Sequence, residues 1–145
     1  MTTVAALAHG PPPVNSILIA GGHGAPGRAR RYLLAQLDAG VSSSRAADAA
    51  LIVSELVTNS VLHAQVGADR AILLELTAFG DRLRIAVVDP GSHIEPRILP
   101  ADPDVPGGFG LRLVHHMSSA WGVVREAAGP TRVWCDLPLD RVRAS

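Results

Sequence analysis

The sequence predicts an α+β fold: a two-layer α/β sandwich with helices on one face of a mostly antiparallel sheet. Three observations carry this. RAILLELTA and RLRIAVVD alternate with period two and meet at Gly80-Asp81, which is the pattern of a β-hairpin. The longer apolar stretch before them, AADAALIVSELVTNSVLHA, has the length of a helix. The whole chain then reads strand, two helices, two strands, long loop, helix, two strands, an order that layers helices against a sheet.

Taken in order, residues 1–14 are small, polar and proline-rich and read as a loose tail. SILIA, Ser16 to Ala20, is a short apolar strand, and GGHGAPG comes after it as a loop. RARRYLLAQLDAG is helical, with Leu33, Leu34 and Leu37 on one side and Gly40 as its stop. Ser42, Ser43 and Ser44 offer caps for the next helix, which runs to about His63 or Ala64. The hairpin comes next. PGSHIEPRILPADPDVPGG is too long for a casual connection, and loops of that length are usually functional or disordered. FGLRLVHHMSSAWG reads as a helix whose end feeds a strand at VVREA. TRVWCDLPL alternates Val133, Cys135 and Leu137 against Arg132, Trp134 and Asp136, giving the last strand. The domain spans residues 15–140, and 141–145 form a C-terminal tail.

Composition narrows the function. The formal net charge is zero, so there is no electrostatic footprint for nucleic acid or an anionic membrane. A single cysteine, Cys135, forbids an intrachain disulfide and points to a reducing, cytoplasmic setting. No apolar run approaches the ~20 residues of a membrane span. All 13 basic residues are arginine. Lysine chemistry is therefore excluded, and so is the lysine-bearing phosphate loop.

The long helix poses the main question. At about 100° per residue, Asn59 stands about 40° round from Glu55 and one turn on, and His63 continues the ridge. Ala49, Val53, Leu56, Val57 and Ser60 take the opposite side, and Leu51 and Leu62 flank the ridge. A helix apolar nearly all round is usually buried, and a buried carboxylate needs a partner. Either the ridge is a narrow solvated stripe or it faces a cleft. In a metal–nucleotide cleft, the Asn59 amide oxygen suits Mg²⁺ and Glu55 suits proton abstraction from an attacking nucleophile. Asp89 closes the strand RLRIAVVD, and a carboxylate at the bottom of a pocket accepts from the exocyclic amine of adenine, where guanine presents an oxygen. The same Asp-Pro-Gly also reads as a plain strand exit. Gly107, Gly108 and Gly110 precede a helix whose free N–H groups are a natural phosphate seat, or form a flexible hinge.

These motifs in this order resemble the GHKL or Bergerat-fold ATPase superfamily, and within it the small bacterial anti-sigma-factor serine kinases. ELVTNSVLHA is similar to that family's N box, VVDPG to its first glycine box and GFGLRLV to its second. ARRYL, WGV and VWCDL look like its actinobacterial members. The resemblance covers about Ser16 to Leu139. It implies that Asn59 ligates Mg²⁺, that Glu55 is the general base and that Asp89 reads adenine. It also implies that Gly91, Gly108, Gly110 and Leu111 shape the pocket and its lid, with His63 beside them and Thr131 helping to hold the base. Such kinases phosphorylate a serine of an anti-anti-sigma (STAS-type) protein, sequester a sigma factor and are commonly homodimers. Phe109 departs from the polar or basic residue usual between the lid glycines.

Rival readings are weaker. Gly22, Gly24 and Gly27 stand in dinucleotide-fingerprint register, but the segment after Gly40 is helical where that fold needs a second parallel strand. His115 and His116 are adjacent and diverge by about 100°, so they do not share one metal ion. A non-catalytic partner-binding module on the same fold remains the alternative function.

Overall fold

The computed structural model describes residues 14–63, 66–89, 110–125 and 129–139. Five strands form one sheet: β1 (Val14–Ala20), β2 (Ala71–Phe79), β3 (Arg82–Asp89), β4 (Ala120–Arg125) and β5 (Thr131–Pro138). Their order is β1-β2-β3-β5-β4, and every pairing is antiparallel. The chain leaves β3, returns at the far edge as β4, and fills the gap with β5. Three helices are described: α1 (Ala25–Gln36), α2 (Ser43–His63) and α3 (Gly110–Met117).

The period-two pattern fixes which face is covered. Cross-strand partners share a face, so Ile72, Leu74 and Leu76 lie on one side of β2, where Leu74 meets Val87 and Leu76 meets Ile85, and Leu83, Ile85 and Val87 meet Leu137, Cys135 and Val133. All are buried, and they join Ala29 and Leu33 of α1, Ile52, Val53, Leu56 and Val57 of α2, and Leu111 and Val114 of α3 in one core. The helices thus lie on one face, as the sequence predicts. On the other face, side chains pair across the strands. Asp136 takes Arg84 through both oxygens, at 2.7 and 2.9 Å, and Arg132 pairs with Glu75. The Arg84 guanidinium also stacks 4.5 Å from the Trp134 ring.

Element ends differ from expectation in four places. β1 begins at Val14, two residues before Ser16. α1 starts at Ala25 because Pro26 fits a first turn, where its missing N–H costs nothing. It stops at Gln36, four residues before Gly40: Leu37 is extended, and Asp38 turns back to accept from the Gly40 N–H at 2.8 Å. The sequence predicts a third helix running through Trp121 and Gly122, but α3 ends at Met117 and these residues lie in β4. The Ser119 N–H donates to the Asp136 carbonyl at 2.9 Å, which pulls the chain into the sheet. Of the three candidate caps, Ser42 holds α2, its Oγ accepting from the Arg45 N–H at 3.2 Å.

Candidate functional site

α2 is packed on several sides. Its apolar face meets β3 and β5, α1 lies along one flank and α3 along another. Arg30 of α1 donates to Ser54 Oγ at 2.9 Å, and Ser54 donates in turn to the Ala50 carbonyl. The ridge is therefore no solvated stripe. Ile52 projects within about 20° of Asn59, and it is fully buried, while Asn59 is 9 % exposed. Glu55 is half-buried, and of the residues flanking the ridge Leu51 and Leu62 are exposed.

Backbone bonds establish which end of the sheet receives the ridge. The Val66 N–H returns to the Val61 carbonyl at the end of α2, and the Gly22 N–H donates to the Val66 carbonyl. Gly21, just past β1, donates to the Arg70 carbonyl, just before β2. The last turns of α2 thus sit at the Ala20–Ala71 end of the β1–β2 pair. β3 reaches that same end with Asp89, because Leu73 pairs with Val88. β5 begins there with Thr131, directly opposite Asp89.

Asp89 and Thr131 share the helix-facing side of the sheet and are 5 % and 1 % exposed. They are the polar final pair of an otherwise apolar series, Leu83–Leu137, Ile85–Cys135 and Val87–Val133. Five buried side-chain atoms among the described residues lack a hydrogen-bond partner, and three of them are Glu55 Oε2, Asn59 Nδ2 and Thr131 Oγ1. Buried polar atoms are rarely left unpaired, and a bound water, ion or ligand is one way such atoms are satisfied. Those three fall on residues that the sequence singles out; the other two, Arg82 Nε and Ser118 Oγ, do not. A half-turn of the Asn59 amide exchanges its nitrogen and oxygen in nearly the same volume. That one position can thus serve an anionic oxygen or a cation.

The remaining candidates are less defined. Leu111 is buried in the first turn of α3, behind Gly110, the helix's first residue. His63 lies in the last turn of α2, but its side chain is outside the described residues, as are Gly91, Gly108, Phe109 and the long proline-rich loop. Sequence reasoning missed the Arg30–Ser54 bond, since nothing in the spacing of two helices tells which residues meet between them.

Burial raises the pKa of Glu55 above its ordinary 4.5. A proton is therefore held more tightly in the folded chain than in the unfolded one. The stability this confers is complete below pH 4.5 and is lost as pH rises through the raised folded value. Glu55→Gln mimics the protonated form at every pH. Its melting temperature should exceed the wild type's at neutral pH and converge with it under acid conditions. A pH-independent difference would contradict this environment for Glu55.

The glycines near the N-terminus have a packing role. A Cβ on Gly21 would stand 2.3 Å from the Val66 carbonyl oxygen. β1 neighbours β2 in antiparallel pairing, so the dinucleotide fold is excluded for this segment.

An antiparallel sheet covered on one face by helices, with the polar pair Asp89–Thr131 ending its helix-facing side, is consistent with the architecture of the Bergerat ATP-binding class. The family model for the histidine kinase-like ATPase domain matches residues 25–135. The chain belongs to that family, and ATP binding is the activity it carries. No curated protein matched the chain. Among the described residues no helix is long and apolar enough to cross a membrane.

Proposed function

We propose that the chain is a cytoplasmic, homodimeric regulator of the anti-sigma type, which transfers the terminal phosphoryl group of ATP to a serine of an anti-anti-sigma (STAS-type) protein and sequesters a sigma factor. The observation that carries the reading is the set of unpaired atoms on Glu55, Asn59 and Thr131, with Asp89 opposite Thr131. Asp89 would accept from the adenine amine and Thr131 would bond the ring beside it. The remaining polar groups, Asn59 and Glu55, then fall toward the phosphates.

Among the described residues no three or more His, Cys, Asp or Glu side chains gather to hold a metal ion. Mg²⁺ keeps several waters and shares phosphate oxygens, and the Asn59 amide oxygen would be its protein ligand. The ion would neutralise the charge of the phosphates. In the transfer, the partner's serine oxygen bonds to the terminal phosphorus, the bond from that phosphorus to the bridging oxygen of ADP breaks, and Glu55 takes the serine proton. Burial, which raises the Glu55 pKa, makes its carboxylate a stronger base for that proton.

The experiment is transfer of labelled phosphate from ATP to an anti-anti-sigma protein. Glu55→Ala is expected to lower the rate on the order of 10²–10⁴-fold while the ATP-dependent thermal shift is retained. If the substituted chain transfers phosphate at the wild-type rate, Glu55 is not the base. If neither chain transfers phosphate although both bind ATP and the partner, the fold serves as a holding module.

A further inference from the structure

α1 carries three arginines in four residues: Arg28, Arg30 and Arg31. Among the described residues none of the three meets a carboxylate, whereas Arg45, Arg82, Arg84 and Arg132 each do. Two of them donate to neutral acceptors, Arg28 to the Ala20 carbonyl at 3.3 Å and Arg30 to Ser54 Oγ. Arg30 Nη2 and Arg31 Nη1 each stand 3.5 Å from the point a Cβ on Gly27 would occupy, so the two nitrogens lie within about 7 Å of each other across that glycine.

Several features add to this concentration of positive charge. Long helical side chains lean toward the N-terminus, which carries both guanidinium groups back over the first turn. That turn holds no acidic residue, and Gly24 supplies no side-chain cap. The helix dipole therefore reinforces the arginines instead of being neutralised. Gly27 leaves the space between them open, and Arg30 and Arg31 are both exposed. Two converging guanidinium groups with unused donors match carboxylates, which accept paired N–H bonds in a fixed plane.

We propose that the Arg28–Arg31 face of α1 docks an acidic protein surface. Nucleic acid fits less well, because the chain has no net positive charge, and three cations within four residues do not track a run of phosphates. The position also gives the dock a use. Arg30 is bonded to Ser54, so a partner seated on α1 stands against the helix that carries Glu55, one residue on and about 100° round. This use rests on the kinase reading; the docking itself does not.

The test is fluorescence anisotropy of labelled decaglutamate with the full chain at low ionic strength, without nucleotide. Binding is expected, weakening as salt is added and absent with decaglutamine. Arg31→Glu should weaken it about tenfold or more, and Arg30→Lys, which keeps charge but not the planar fork, by less. Arg31 has no described bond to lose, so its substitution leaves the fold intact, and the Mg·ATP thermal shift should be unchanged. Failure of decaglutamate to bind, equal binding by Arg31→Glu, or tighter binding of duplex DNA would each overturn the proposal. A wild type that binds decaglutamate but shows no ATP shift would retain the dock and remove the nucleotide reading instead.

Discussion

Asp89→Ala is expected to remove most of the thermal stabilisation that Mg·ATP confers. At ~100 times Kd, ATP stabilises the wild type by about 2.7 kcal/mol, roughly 5–10 °C for a chain of this length. Asp89 is the only carboxylate in the cross-strand series that ends at Thr131, and it is buried. A hydrogen bond to a charged acceptor is worth about 1.5–3 kcal/mol, or roughly 10- to 150-fold in Kd. Losing it brings the same ATP concentration down to between about 10 times Kd and about Kd, where the shift falls to between roughly half and an eighth of the wild-type value. The quantity to compare is the shift caused by ATP, because the substitution also changes the unliganded protein. GTP should shift neither chain, since guanine offers an oxygen where adenine offers its amine. An Asp89→Ala chain that keeps the full ATP shift would place the base elsewhere.

Gly21→Ala should be the most damaging single methyl group in the fold. The added Cβ would lie 2.3 Å from the Val66 carbonyl oxygen, 2.5 Å from that of Gly67 and 2.8 Å from the Val66 carbonyl carbon. All three are backbone atoms, so no side chain can swing aside. The loop must move, and with it go the bonds from Gly21 to Arg70 and from Gly22 to Val66. Two backbone bonds and the strain together amount to about 3–4 kcal/mol, a fall in melting temperature of roughly 10 °C. Gly27→Ala is the control. Its Cβ meets nothing nearer than 3.5 Å, and alanine is favoured over glycine inside a helix by up to about 1 kcal/mol. Equal melting temperatures for the two variants would mean that the turn at residues 66–70 does not close over Gly21.

Much of this architecture was legible because each signal was local. Alternation in RAILLELTA and RLRIAVVD gave both strands of the hairpin and the side on which they are buried. The helical ridge of Glu55 and Asn59 was legible from spacing. Its surroundings were not, because the burial of Ile52 beside Asn59 depends on neighbours far along the chain. The end of α3 was misplaced for a related reason. HHMSSAWG keeps an acceptable helical rhythm, and what stops it is the Asp136 carbonyl, 17 residues later than Ser119. The pairing of Asp89 with Thr131 was likewise invisible: each residue could be singled out, but only the insertion of β5 between β3 and β4 makes them partners.

That insertion has a consequence for biosynthesis. As the chain is made, β1, β2 and β3 with α1 and α2 are complete before β4 and β5 exist, and β4 cannot join them directly because its only neighbour is β5. The Asp89 end of the sheet thus closes late, when the final strand adds Thr131 beside it. Non-local pairing of this kind is a slow step in folding. A nascent chain lacking β5 has Glu55 and Asn59 but no Asp89–Thr131 pair, so under the proposed role of that pair nucleotide capture would distinguish finished molecules from unfinished ones.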